Sequence, residues 1–414
     1  MSEWRILVTI MRQNKNLPDG TRDILYDEAR LYSDITEMLS EEYRGRGFRQ
    51  VMTPAIEYYD VFAESGRFLE PEHMYKLTDN NGRLLVLRAD NTMPIARVAS
   101  TKLKNEGFPQ KLYYHQSVYR MNGDYSGKRS EILQSGVEMI GDSGIKSDMI
   151  CLTTAIHALL ALKLPFQIEI GHVGYYNALI AAMDLEESTA EKVRQFVDSK
   201  NTVSLNFLSQ RSDRLAKVCE TIQKIPLLYG GLEVFPKAVA LAEGNAEALE
   251  AAAYVRRLYQ TLVDAGYGKY ICVDFGLVHQ IDYYTGVVIR GYAAGAGEAV
   301  LSGGRYDRLL SGFDRQAAAT GFAINVCMVA EALKKAGRIP REKKPDCVVH
   351  FAPEYFREAE EYRRLQASAG KLAELTAFDT PEESLAYAAA RGIPVLVTVE
   401  GGDIREEAVK LPED

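Results

Sequence analysis

The chain has 414 residues, enough for two or three domains. It is 47% hydrophobic and 26% charged with a net charge of −8, the balance of an ordinary globular protein. That acidic balance speaks against non-specific nucleic-acid binding, which uses a basic surface, and no run approaches the ~20 apolar residues of a membrane span. Five cysteines (Cys151, Cys219, Cys272, Cys327, Cys347) are odd in number and widely spaced, with no Cys-x-x-Cys pair. Reduced thiols in the cytoplasm fit them better than disulfides or a zinc site.

At the N-terminus a short apolar run, Ile6 to Met11, lacks the long core and cleavage site of a signal peptide. Two readings stay open there, an added edge strand or a start at Met11. Residues 24–46 predict an amphipathic helix, with Leu31, Ile35, Met38, Leu39 and Tyr43 at helical spacing and glycines at the end. "FRQVMTPAIEYYDVF" (48–62) reads as a strand ending in a Pro-bearing turn. "LLVLRAD" (84–90), "KLYYHQSVYRM" (111–121) and "ILQSGVEMIG" (132–141) are strand-like, with turn residues between them. A helix over 147–163 precedes the strand "FQIEIGHV" (166–173).

From about 175 to 264, Ala, Leu, Glu and Lys dominate, which predicts a helical insertion. Strands return at 269–276, 284–292 and 298–304, and 321–337 reads as a strand turning into a helix. "GYAAGAGEAV" (291–300) does not fit a dinucleotide fingerprint and reads as a hairpin turn. "GRIPREKKPD" (337–346) is the expected linker. It leads to a β strand, helices over 354–370 and 381–391, and a final strand "IPVLVTV". The expected division is a core over 1–335 and a small C-terminal α/β domain over 346–414. Runs of consecutive strands flanked by helices predict an α+β fold with mostly antiparallel pairing.

The chain contains no P-loop, no His-Glu-x-x-His and no Gly-x-Ser-x-Gly. His115, His157 and His172 share no ligand spacing and are read as structural. Four segments concentrate polar residues: "LRADNTMPIAR" (87–97), "YRMNGDYSGKRSEILQSGVEMIG" (119–141), "FGLVHQIDYYTG" (275–286) and "LSGGRYDRLL" (301–310). Residues two or four apart on a strand share a face, which pairs Asp90 with Thr92 and Gln134 with Glu138. Asp, Thr, Gln, Glu and Tyr together suit a small zwitterion with extra hydrogen-bonding groups. Polar strand ends at a sheet edge are the other reading of the same spacing.

The order of these segments resembles the core of histidyl-tRNA synthetases, members of the class II aminoacyl-tRNA synthetases. "LPDGTRD" resembles that family's N-terminal loop, and "FRQVMTPAIEYYDVF" its first motif, with Pro54 in place. "LRADNTMPIAR" is similar to the family's Leu-Arg-Pro-Glu-Gly-Thr segment, and 119–141 to its second motif. "LVHQIDYYTG" is similar to the signature Leu-Val-Arg-Gly-Leu-Asp-Tyr-Tyr, and "SGGRYDRLL" and "TGFAI" to the segments C-terminal to that signature. The resemblance spans about 17–330 and implies a class II synthetase-like antiparallel sheet core.

Departures lie on the side where the family binds ATP. His279 stands at the signature's Arg, and Met328 at the Arg that closes the third motif. Asn122, Ile132 and Ser130 stand at the Glu, the adenine-stacking Phe and a loop Arg of the second motif. Stabilising charge on transferring phosphates needs fixed cations, and Met offers neither charge nor donor. The amino-acid side is kept. The resemblance implies a histidine-binding set of Asp90, Thr92, Arg120, Gln134, Glu138, Tyr283 and Tyr284. In it Asp90, Thr92 and Gln134 hold the α-amino group, while Glu138 and Tyr284 face the imidazole with Tyr283 nearby. Asp90 replaces the usual Glu.

With its short acidic tail, the chain resembles the regulatory subunits of ATP phosphoribosyltransferase. That resemblance implies no catalytic residue, no cofactor and no metal. It also implies free L-histidine as ligand, a short-form catalytic subunit as partner, and a homodimer within a hetero-oligomer. The rival readings are an active histidyl-tRNA synthetase with divergent motifs, or a synthetase-like factor that binds tRNA or protein.

Overall fold

The computed structural model describes residues 16–63, 71–122, 127–199, 201–278, 283–341 and 343–411. The open readings at Met11 and the departure at His279 lie outside those residues. The chain divides into a larger unit, Met1–Ile339, and a smaller one, Pro340–Asp414.

The larger unit is organised by a long sheet. In chain order its first strands are β1 (Arg49–Gln50), β2 (Ile56–Tyr58), β3 (Lys76–Thr78), β4 (Leu84–Leu87), β5 (Gln110–Tyr119) and β6 (Glu131–Ile140). They are followed by β7 (Phe166–His172), β8 (Tyr229–Gly230), β9 (Ile271–Asp274), β10 (Val287–Ala293), β11 (Leu301–Arg305) and β12 (Ala319–Asn325). Among the described residues, 9 strands pair in the order β1-β5-β6-β12-β11-β10-β7-β9-β8. Pairing is antiparallel throughout except at β1/β5 and β7/β9. β2, β4 and β3 form a separate antiparallel sheet.

The β5/β6 ribbon is long because its sequence alternates. Tyr113 and Val137 face one hydrophobic cluster, and Leu112, Tyr114 and Ile140 face another on the opposite side. Against the first face pack the helices Tyr26–Gly45 and Ile145–Ala161. Leu31, Ile35, Leu39 and Tyr43 of the first helix are buried at helical spacing, and Gly47 ends the run at φ +80°. The second face carries the helix Thr92–Ser100 and the candidate pocket. Between β7 and β9 the chain is helical apart from the short strand β8, with the longest helix at Ala246–Asp264.

Two expectations are corrected here. The stretch 48–62 is no single strand; the non-helical segment around Pro54 separates β1 from β2, and Asp60–Ala63 is helical. Asp90 and Thr92 do not share a strand face, since β4 ends at Leu87 and Thr92 opens a helix. Pro94 sits in the first turn of that helix, where a missing N–H costs no helical hydrogen bond.

The smaller unit is a sheet ordered β14-β13-β15-β16, made of β13 (Cys347–Phe351), β14 (Ala373–Leu375), β15 (Val395–Glu400) and β16 (Asp403–Ala408). β13 runs parallel to both neighbours, and β16 returns antiparallel to β15. Its helices are Phe356–Ser368 and Pro381–Arg391. A capping box of Thr380 and Glu383 starts the second helix, and Gly392 at φ +66° ends it. β14 and β16 carry little sequence signal; the first is short and the second is polar and exposed along its length.

Candidate ligand pocket

Asp90, Thr92, Arg120, Gln134, Glu138, Tyr283 and Tyr284 all line one cavity of about 90 Å³. Strand alternation places Gln134 and Glu138 on the same face of β6. The turn from β4 into the helix Thr92–Ser100 brings Asp90 and Thr92 to that face. Tyr306 and Gly321 complete the wall around Glu138, although neither is in the histidine-binding set that the resemblance implies. Their only signal was membership of the segments "SGGRYDRLL" and "TGFAI".

Glu138 is the centre of the pocket and is 2% exposed. Thr92 Oγ1 donates to its Oε1 at 2.9 Å, and Tyr306 Oη donates to its Oε2 at 2.5 Å. Burial pushes the carboxyl up to about 8. The Tyr306 and Thr92 hydroxyls oppose that rise by favouring the charged form, and the neighbouring Asp90 carboxylate adds to it. Room for this carboxylate comes from a glycine across the ladder. Gly321 pairs with Glu138, and a Cβ there would stand 1.8 Å from Oε2. Similarly, a Cβ on Gly304 would stand 2.8 Å from the Tyr284 ring.

Asp90 is buried, and burial raises its pKa. Its Oδ1 accepts from the Met93 backbone N–H at 3.0 Å, so the side chain caps the first turn of its own helix. Arg120 donates from Nε to the Ala89 carbonyl at 3.0 Å. Burial lowers its pKa, and the attraction of Asp90 opposes that. Gln134 accepts at Oε1 from Asn91 Nδ2 at 3.0 Å. Tyr283 lies edge-on to both Tyr284 and Tyr306, with ring centroids 5.0 and 5.8 Å away, which makes an aromatic wall. The pocket thus offers two buried carboxyl groups, one guanidinium, an amide and several hydroxyls. Such a set has the chemistry to meet a small polar cation or zwitterion.

The other singled-out residues hold structure. Arg88 ties the Thr53 and Ser117 carbonyls, at 2.7 and 2.6 Å. Arg97 pairs with Glu57 at 2.6 Å. Arg305 joins Asp148 and Ser147 on the helix Ile145–Ala161. His115 bonds Ser40, His157 bonds Tyr267, and His172 Nδ1 accepts from the Gly174 N–H. Burial lowers both His115 and His172 to about 4, so they are neutral near pH 7.

On the side of the departures, Met328 lies in the first turn of the helix Val326–Lys335, where its N–H is capped by Asn325. Asn122 donates to the Arg129 carbonyl at 2.9 Å, and the Arg129 guanidinium pairs with Glu331 at 2.7 Å. Ser130 is buried, with its N–H on the Gly20 carbonyl. A larger cavity, about 430 Å³, includes Arg22, Tyr32, Arg129, Glu131 and Leu133. Residues 131 and 133 of β6 face away from Gln134 and Glu138, so this cavity is separate from the candidate pocket.

A family model described as histidyl-tRNA synthetase matches residues 20–329. An ATP phosphoribosyltransferase regulatory subunit of Clostridium botulinum (strain 657 / Type Ba4) is 40% identical over 397 residues, covering 95% of this chain and 93% of the relative. Its counterpart in Clostridium acetobutylicum is 41% identical, covering 94% of this chain and 96% of the relative. Among solved structures, an ATP phosphoribosyltransferase regulatory subunit/histidyl-tRNA synthetase from Bacillus halodurans C superposes with a TM-score of 0.79 at 32% identity. That match covers 90% of this chain and 96% of the other. A synthetase-like antiparallel sheet core agrees with these matches: the chain belongs to the ATP phosphoribosyltransferase regulatory subunits, a family built on the histidyl-tRNA synthetase fold.

Proposed function

We propose that the pocket binds free L-histidine, performs no chemistry on it, and reports its occupancy to a short-form ATP phosphoribosyltransferase catalytic subunit. The protein is then required for the activity of that subunit and for histidine feedback on the first step of histidine biosynthesis, in the cytoplasm. The observation that carries this reading is the contrast between the two halves of the site. Glu138 keeps a fully built hydrogen-bonding frame, whereas Met328 and Ser130 offer no charge where the resemblance expects the cations of a phosphate-handling site.

Ligand occupancy acts at a distance only through different affinities for two states of an assembly, and the coupling is reciprocal. The expected assembly is a homodimer within a hetero-oligomer. In support, Ile56, Tyr58 and Leu77 form an apolar face on the small sheet, 50%, 47% and 41% exposed. Their registers with Leu87 and Leu85 place them on one side.

The test mixes the protein with the catalytic subunit and follows phosphoribosyl transfer from phosphoribosyl pyrophosphate to ATP. Activity rises when this chain is added and falls when histidine is added. Glu138→Ala keeps the activation and loses inhibition, with histidine binding about 10- to 100-fold weaker, the cost of one buried polar partner. A mixture with neither activation nor a complex on size exclusion overturns the reading. The rival synthetase activity is checked by histidine-dependent ATP–pyrophosphate exchange, which is expected to be absent. Turnover at an ordinary enzyme rate would reverse that assignment.

A further inference from the structure

Arg305 and Tyr306 are adjacent in the chain and serve opposite faces of the long sheet. Tyr306 packs in the hydrophobic cluster on the pocket side and donates to Glu138 Oε2 at 2.5 Å. Arg305 reaches the helix Ile145–Ala161, which packs on the other side. All three of its guanidinium nitrogens are used. Nη2 donates to Asp148 Oδ1 at 2.9 Å and to Ser147 Oγ at 2.7 Å, and Nε donates to Asp148 Oδ2 at 3.2 Å. Nη1 donates to Asp307 Oδ1 at 3.1 Å and to the Asp142 carbonyl at 3.2 Å. The ion pair is shut away from water, with Arg305 5% and Asp148 2% exposed. A Cβ on Gly286 would stand 2.9 Å from Arg305 Cδ, so that glycine leaves the side chain its path. The Arg305 carbonyl accepts from the Thr285 N–H at 2.7 Å, directly after the pocket residues Tyr283 and Tyr284. One arginine thus holds both the Tyr283–Tyr284 wall and the Tyr306 wall.

A third group completes this cluster from elsewhere in the chain. Tyr254, on the helix Ala246–Asp264 of the helical insertion, donates from Oη to Asp148 Oδ2 at 2.6 Å. Arg305 Nε shares that oxygen, and the tyrosine bond is the shorter of the two. The position of the carboxylate is therefore set from both sides. Tyr254 itself lines no part of the pocket.

We infer that Tyr254 is a positioning residue for the ligand pocket: through Asp148 and Arg305 it sets where Tyr306 meets Glu138. Hydrogen bonds depend steeply on geometry, so a shift of Arg305 is felt at the Tyr306 hydroxyl. The helical insertion, which lines no part of the pocket, thereby tunes its affinity. The inference rests on the reading that the pocket takes histidine.

The test is a double-mutant cycle read by calorimetric titration of the full chain with L-histidine. Tyr254→Phe keeps the ring against His172, at 5.9 Å between centroids, and removes only the hydroxyl. It is expected to weaken histidine binding by about three- to ten-fold, the size of one hydrogen bond. In a Tyr306→Phe background the same substitution is expected to change affinity by less than about two-fold, because the contact it acts through is gone. A merely structural tyrosine would weaken binding equally in both backgrounds. Arg305→Lys, which keeps the charge and loses the two-pronged grip, gives a second cycle with the same expected pattern. Tyr175→Phe is the control. It deletes another tyrosine hydrogen bond in the insertion, to the Ala238 carbonyl at 2.8 Å, and is expected to lower the melting temperature with affinity unchanged. If Tyr254→Phe binds histidine as the parent does, or if its effect is the same in every background, the relay is wrong while the histidine pocket stands. If the wild-type chain binds no histidine, the pocket assignment itself fails.

Discussion

Glu138 shows how one buried residue makes stability depend on pH. Two hydroxyls hold it, yet burial dominates and raises its pKa from 4.5 to about 8. The folded protein therefore keeps a proton that the unfolded chain has lost across that window. Linkage makes the contribution of this group fully favourable below pH 4.5, and it is lost progressively as the pH rises toward 8. Glu138→Gln keeps the shape and removes the titration. The variant should gain stability relative to the parent between about pH 4.5 and 8, by at most about 5 kcal/mol. Urea unfolding at several pH values checks this, and a difference that stays constant with pH counts against it.

Elements meet in this pocket through glycines. β6 and β12 approach closely enough for Glu138 to fit only because Gly321 carries no side chain; a Cβ there would also stand 2.5 Å from the Val137 carbonyl. Backbone on one side and a functional carboxylate on the other leave the added methyl little room. Gly321→Ala should cost about 1–3 kcal/mol, as overpacking does, and should displace Glu138 and abolish histidine binding. Gly297, between β10 and β11, has nothing within 4 Å of its would-be Cβ, so Gly297→Ala is the neutral control. Thermal melts and calorimetry on both variants decide this. A Gly321→Ala protein with parental stability and affinity would show that the two strands can part at little cost.

For the molecule as a whole, the proposed homodimer would bury the apolar face of Ile56, Tyr58 and Leu77, which is exposed in the single chain. A two-fold contact buries the same patch on both subunits, so one charge introduced there acts twice. The protein should sediment as a dimer at micromolar concentration, and Ile56→Glu should shift it toward the 46.2 kDa monomer. A wild-type monomer under those conditions removes the dimer from the assembly. Among the described residues no helix is long and apolar enough to cross a membrane.

Elements with strong local periodicity are legible in the amino-acid sequence alone. The helix Tyr26–Gly45 follows from Leu31, Ile35, Leu39 and Tyr43, and the long β5/β6 ribbon follows from its alternating residues. Periodicity also puts Gln134 and Glu138 on one face, because four residues along a strand is two full periods. Met328 and Ser130 are legible as residues without charge before any fold is known. Only tertiary packing settles what faces these groups. Asp90 caps its own helix instead of lying on a strand, since a turn after Leu87 overrides the apparent strand period. Tyr306 reaches Glu138 across 168 positions of chain, and Asn91 donates to Gln134 across 43. Periodicity records which side of its own element a residue faces. Which distant residue comes to stand opposite it depends on strand order and register, and the burial that raises Glu138 arises only when those elements close over it.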